Sequence, residues 1–269
     1  MLRDITFGQY YESNSLLHKT DPRFKIVILI LLIVFIFLAK NAFSLGFAAA
    51  AMAAVMLISR VPLRLYLKNM KAILPVLLFT AVINLFYGDS GGVLFSVWKL
   101  TVNTEGVYRA VFMAVRIILL ILISSALTYT TTPNDLTDAI ESLLSPLKYV
   151  GLKSAVHTLA MMMTIALRFI PTLTEEAEKI MNAQKARGAD LENGRLSERV
   201  KALIPILIPL LISSVRRAYE LAEAMECRCY NGGEGRTRMK QLRTAPRDYA
   251  VFTCALAICG GIITLNIIF

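Results

Sequence analysis

Five stretches of this chain are apolar for about the length of a membrane crossing, and they constrain the fold more than any other feature. They run from Phe24 to Ala39, Ala42 to Ile58, Ile73 to Tyr87, Val111 to Thr128 and Tyr249 to Phe269. A bilayer core about 30 Å thick takes roughly twenty helical residues at about 1.5 Å each. The first and third stretches are short on that scale and must recruit flanking residues. Lys40-Asn41 between the first two leaves room only for a tight hairpin.

Composition points the same way. Of the 269 residues 56% are hydrophobic and 18% charged, with a mean hydropathy of +0.60. That is too little charge to clothe a soluble globule of this size. The four cysteines do not form a secreted disulfide framework: Cys254 and Cys259 lie in an apolar run, Cys227 and Cys229 beside basic residues. They read as reduced thiols. The first ten residues carry Asp4 and Gly8 ahead of any apolar core, which is not the order of a cleaved signal. The fold class expected is therefore all-α: a polytopic membrane protein with about five transmembrane helices and a cytoplasmic domain of long amphipathic helices.

Lys and Arg outside the spans set the expected orientation, because cytoplasmic loops retain the basic excess. The N-terminal arm has Arg3, Lys19 and Arg23, and the loop from Ser59 to Ala72 has Arg60, Arg64, Lys68 and Lys71. The alternate connections offer only Lys40, then Lys99 and Arg109, and nothing basic follows the last span. Tyr129 to Asp248 holds seventeen Lys and Arg against fourteen Asp and Glu. The reading is a cytoplasmic N-terminus and an external C-terminus. It divides the chain into an arm with four spans (1–129), a cytoplasmic helical domain (130–248) and a returning span (249–269). The net charge of +10 follows from that topology, and no run of basic residues interleaved with aromatics points to nucleic acid. In a cysteine-free background, single cysteines replacing Gly91 and Gly194 test this: an impermeant thiol reagent should label the first and not the second in intact cells, and external labelling at Gly194 overturns the topology.

The domain between the spans contains a short helix beginning near Thr132-Pro-Asn-Asp135 and ending at Ser145-Pro146, then helices from about Ser154 to Ala189 and Ser197 to Cys229. Each long helix is apolar in its first half and charged in its second, and kinks are expected at Pro171, Pro205 and Pro209. The apolar halves could be counted as further spans, but Lys153, His157 and Arg168 interrupt the first, and helices lying at the inner surface are the expectation. Ala166, Ile170, Leu173, Ala177 and Ile180 form one stripe, Leu211, Val215, Ala218, Ala222, Met225 and Cys229 another, and two such stripes pair helices. The C-terminal ends then splay apart, each tipped with an arginine between small residues: Ala186-Arg187-Gly188 and Cys227-Arg228-Cys229.

Those two triplets, with the run Gly8-Gln-Tyr-Tyr-Glu-Ser-Asn-Ser-Leu-Leu-His-Lys-Thr-Asp-Pro-Arg23, resemble the transmembrane T component of energy-coupling-factor transporters, the EcfT/CbiQ family. The resemblance covers nearly the whole chain; the second triplet departs from the commoner Ala-Arg-Gly form in its cysteine flanks. The family implies a non-catalytic scaffold in the bacterial plasma membrane. Ala186, Arg187, Gly188, Cys227, Arg228 and Cys229 would dock on two cytoplasmic ABC-type ATPases that carry ATP and Mg. A separate membrane-embedded S component would capture a vitamin or related micronutrient. In keeping with this, the chain has no Gly-x-x-x-x-Gly-Lys-Ser/Thr phosphate loop. His18 and His157 are far apart in sequence, Cys227-x-Cys229 lacks a second ligand pair for zinc, and Gly232-Gly-Glu-Gly235 reads as a loop after a helix end.

Three further groups stand out. Met161, Met162 and Met163, with Met181 and Met225, offer either core filling or a deformable surface for the S component. Gly46, Ala50 and Ala54 share one face of the second span, where they allow close helix approach, either within the chain or by that partner. Arg116 lies inside the fourth span, as an intramembrane functional charge or one that snorkels outward with Arg109. The competing functional reading, a secondary transporter with its own substrate site, calls for repeated halves and interrupted spans, which four spans plus one do not provide.

Overall fold

The computed structural model describes residues 10–86, 93–97, 100–146, 153–189, 196–232, 242 and 244–268. Gly8, Gln9, Lys99 and residues 233–235 of the motifs above lie outside them. Among the described residues the chain forms helices α1 (Pro22–Leu38), α2 (Ala42–Ser59), α3 (Leu63–Phe86), α4 (Thr104–Thr130), α5 (Pro133–Leu143), α6 (Lys153–Ala186), α7 (Leu196–Glu226) and α8 (Pro246–Ile268). A two-stranded antiparallel ribbon, β1 (Val93–Val97) and β2 (Leu100–Asn103), precedes α4. It was not expected in an all-α chain, but Val93, Val97, Thr101 and Val102 are β-branched and fit a short strand pair.

Among the described residues six helices are long and apolar enough to cross a membrane by length and composition: α2, α3, α4, α6, α7 and α8. The chain is thus an all-helical polytopic membrane protein apart from the ribbon. α3 starts ten residues before the apolar stretch that marked it, taking Arg64, Lys68 and Lys71 into its first turns, and so reaches spanning length. α1 has 17 residues. Both α6 and α7 meet the length and hydropathy requirement despite their charged second halves, and Pro171, Pro205 and Pro209 lie inside uninterrupted helices.

The chain divides into two compact units, one from Gly8–Ala139 with Lys240–Phe269 and one from Ile140–Met239. In the first, α4 packs on α1, α2 and α3, and α8 packs on α1 and α2. Ile36, Leu45, Met52, Tyr66, Leu119, Ile123, Cys259 and Ile262 form its core. Close approach fixes two contacts: a Cβ at Gly106 would sit 2.6 Å from the Leu85 carbonyl oxygen, and one at Gly261 would sit 2.7 Å from the Phe47 ring. The Tyr66 and Tyr129 rings meet edge to face at 5.2 Å, and Tyr129 Oη donates to the Leu65 carbonyl.

Helix ends in this unit are closed by side chains from distant helices. The last carbonyls of a helix have no intrahelical donor, and lipid supplies none. At one end of the unit, Asn266 Nδ2 donates to Leu38 O (2.7 Å), Asn266 Oδ1 accepts from Lys40 N (3.0 Å), and the Arg116 guanidinium donates to Ala39 O. Arg116 also lies 4.8 Å from the Phe112 ring centroid. It therefore closes the α1–α2 hairpin, a structural role that neither reading above supplied.

At the opposite end, the buried Lys25 Nζ donates to Thr130 O (2.9 Å) and Thr131 Oγ1 (3.3 Å) at the C-terminus of α4. Asp248, 1% exposed, accepts from Asp21 N at the start of α1 and from Ala245 N at the start of α8. Asp21 in turn caps α1 by accepting from Arg23 N. The arm leading into α1 is tied by Tyr11 N to Tyr129 O, and His18 Nε2 bonds Tyr11 O at 2.8 Å. Burial holds the His18 pKa below its ordinary value, so near neutral pH Nε2–H donates to Tyr11 while Nδ1 accepts from Ser15 Oγ.

Removing the Lys25 ammonium strands the Thr130 carbonyl and leaves Asp21, Asp135 and Asp248 around the same cavity without it. Lys25→Met should cost about 3 kcal/mol or more, read as a lowered unfolding midpoint in detergent. A variant within about 0.5 kcal/mol of the parent, the range of ordinary surface changes, would show that the ammonium does not hold this junction.

Candidate docking surfaces

The second unit presents the arginine triplets. α6 and α7 pack together, and three contacts give their sense. Glu176 of α6 accepts from Arg217 Nη2 at 2.8 Å and from Ser213 Oγ on α7, while Tyr230 Oη, just past α7, lies 2.9 Å from Met161 Sδ near the start of α6. Pairing of 176 with 213 and 217, and of 161 with 230, requires an antiparallel pair. Arg187 and Arg228 therefore lie at opposite ends, separated by roughly 35 Å for the two dozen helical residues between them.

The face of α7 that packs is not the stripe read from the sequence. Ala202, Ile206, Leu210, Ser213, Ser214, Arg217, Leu221 and Met225 are the partly or fully covered positions. Of the expected stripe, Leu211 is 65% and Val215 48% exposed. The helix is turned by about one residue because the Glu176 carboxylate draws Ser213 and Arg217 inward, and a count of apolar spacing cannot see a polar clamp. On α6 the expected stripe holds better: Ile170, Leu173, Ala177 and Ile180 are partly covered, and Ala166 is exposed.

Both arginines end their helices in the same backbone motif. Gly188 N donates to Lys185 O and Ala189 N to Gln184 O; Cys229 N donates to Glu226 O and Tyr230 N to Met225 O. Each is a Schellman closure, with the residue after the arginine in the left-handed region: Gly188 at φ +88° and Cys229 at φ +54°. A Cβ at Gly188 would meet nothing within 4 Å. Within this chain, backbone conformation rather than crowding thus calls for glycine there. Cys229 meets the same demand at a steric cost that Gly188 avoids.

Ala186, Arg187, Gly188, Cys227, Arg228 and Cys229 are all exposed, and among the described residues neither arginine has an ion-pair partner. Lys185 adds a cation in the last turn of α6. Cys227, Cys229, Cys254 and Cys259 are free thiols.

The remaining candidates separate. Met161 is half-buried against Tyr230, while Met162 and Met163 are 56% and 42% exposed. Because of the antiparallel pairing they lie beside the Arg228 end. Gly46, Ala50 and Ala54, in the other unit, are exposed, since α2 packs through Leu45, Ala48 and Met52 instead. The small-residue face is thus not used for packing within the chain. The Glu176 clamp and the Lys25 and Asp248 junctions went unread because each joins positions far apart in sequence.

Cys229→Gly should relieve the left-handed cap by about 1 kcal/mol, seen as about fivefold slower exchange of the Tyr230 amide, and Gly188→Cys should speed exchange at Ala189 to a similar degree. Equal exchange in parent and variants would mean that neither cap depends on the conformation of that residue.

Comparison with known proteins agrees with this architecture. Residues 13–239 match the CbiQ family, described as a cobalt transport protein. The energy-coupling factor transporter transmembrane protein EcfT of Ruminiclostridium cellulolyticum is 49% identical over 269 residues, covering 100% of both chains. Those of Clostridium kluyveri and Bacillus subtilis are 50% and 41% identical, covering 98% and 97% of both chains respectively. The chain belongs to the EcfT/CbiQ family, the transmembrane T components of energy-coupling-factor transporters.

Proposed function

We propose that this chain is the coupling scaffold of an ATP-driven importer. It transmits the motion of two cytoplasmic ABC-type ATPases to a separate S component that carries a vitamin or related micronutrient. The observation that carries the reading is the pair of identically closed helix ends, each presenting an exposed arginine, at opposite ends of one antiparallel helix pair. One such tip suits each ATPase. In this reading ATP and Mg reside on the partners and the chain itself performs no catalysis. In this reading α6 and α7 lie along the inner surface of the membrane, so that both tips as well as the N-terminus are cytoplasmic, and the C-terminus is external. The exposed Met162 and Met163, and the Gly46, Ala50 and Ala54 face, are surfaces for the S component.

Arginine suits a docking tip because its guanidinium stays charged in a partly desolvated groove and gives several charge-assisted hydrogen bonds in one plane. A cation at a helix C-terminus interacts with its own helix by only about 0.3–1 kcal/mol. Losing a buried, paired cation at an interface costs about 2–5 kcal/mol. Arg187→Glu and Arg228→Glu should each weaken ATPase association or uncouple hydrolysis from uptake, and the double variant should abolish transport while still inserting. Arg→Gln at both sites isolates the docking loss from acid at the helix end, and Arg→Lys should rescue poorly. ATPase co-purification and substrate uptake in proteoliposomes decide it: parental values for both in the double Glu variant leave only the helix-dipole role.

A further inference from the structure

In the first unit, a cavity of about 470 Å³ opens where the arm, the end of α2 and the start of α8 meet. Its wall is apolar: Leu16, Leu57 and Ile58 are 62%, 77% and 48% exposed. Its rim carries Lys19, Arg60 and Arg247, and among the described residues no acidic one lines it. All three cations stand at span boundaries. Lys19 lies two residues before the α1 cap Asp21, Arg60 is the C-cap of α2, and Arg247 is in the first turn of α8. The bond from Asp21 N to Asp248 holds the starts of α1 and α8 together, so the cations share one level. None of them has an ion-pair partner among the described residues. Lys19 and Arg247 also border a neighbouring polar cavity of about 250 Å³, where the Asp248 oxygens are taken up by the Asp21 and Ala245 backbone N–H groups.

We propose that this cavity holds the headgroup of an anionic phospholipid, its phosphate between Lys19, Arg60 and Arg247 and an acyl chain along Leu57 and Ile58. Charge complementarity argues for the occupant: three unpaired cations over an apolar wall match a phosphate joined to hydrocarbon and nothing wholly soluble. Position argues for it as well. Leu57 and Ile58 form the last turn of a membrane-spanning helix, where lipid passes from tail to phosphate. Arg60 is held there in the left-handed conformation, φ +53°. Glycine would adopt that conformation at no steric cost, so an arginine at this position puts a cation where the backbone would favour none.

The test uses the full chain, isolated with whatever subunits accompany it and delipidated in detergent. Phosphatidylglycerol and phosphatidylethanolamine of matched acyl chains are offered in equal amounts, and native mass spectrometry counts what is retained. Phosphatidylglycerol should be preferred at least fivefold. Lys19→Gln, Arg60→Gly and Arg247→Gln should each cost roughly fivefold, and the triple variant should lose the preference. Arg60→Gly keeps the backbone conformation, so its single result stands even if the triple variant unfolds. Equal retention by the parent, or an unchanged preference in Arg60→Gly, overturns the proposal. Displacement of the lipid by millimolar glycerol phosphate assigns the site to a soluble anion instead. Loss of accompanying subunits with lipid preference intact assigns the rim to a protein contact.

Discussion

Carbonyls at helix ends have no donor within their own helix, and in a membrane they have none outside the protein either. The first unit meets this constraint with three long-range bonds: Lys25 to Thr130 O, Arg116 to Ala39 O and Asn266 to Leu38 O. Each comes from a helix distant in sequence, so satisfying a local backbone need also fixes which helices are neighbours. α1 is held at one end by α4 and α8, and at the other by its own side chain on α4. Charges that look out of place in apolar segments are thereby explained as closures, and the apolar contacts fill in around them.

Much of the architecture was legible because hydrocarbon thickness imposes a length on every span and prolines and caps mark the ends. α6 and α7 were placed within three residues, and α5 within one or two. α3 was not, because a helix can continue through Arg64, Lys68 and Lys71 with their charged ends reaching water, and hydropathy alone sees a loop there. The arginine triplets were legible as a repeated local pattern. Docking was the reason expected for the triplets, and the structure adds a separate one for the residue after each arginine, a left-handed cap at Gly188 and Cys229. The face of α7 was read about one residue off, with Met225 alone in both sets, because apolar spacing does not register the bonds of Glu176 to Ser213 and Arg217.

That selection matters for how a helix pair moves. Apolar rows of similar residues slide past one another at small cost, since one register buries nearly as much area as the next. A carboxylate bonded to both Ser213 and Arg217 favours one register, because its bonds are directional, and the preference is modest because both charged side chains are partly open to solvent. α6 and α7 carry this clamp near mid-length and the Tyr230–Met161 contact toward one end. The outward row of α7, Leu203, Leu207, Leu211, Val215 and Tyr219, is exposed, so little within the unit resists tilting of the helix about that point. The α6–α7 pair thus has a preferred register set by a polar contact, while the outward row of α7 is held by nothing among the described residues of its own unit.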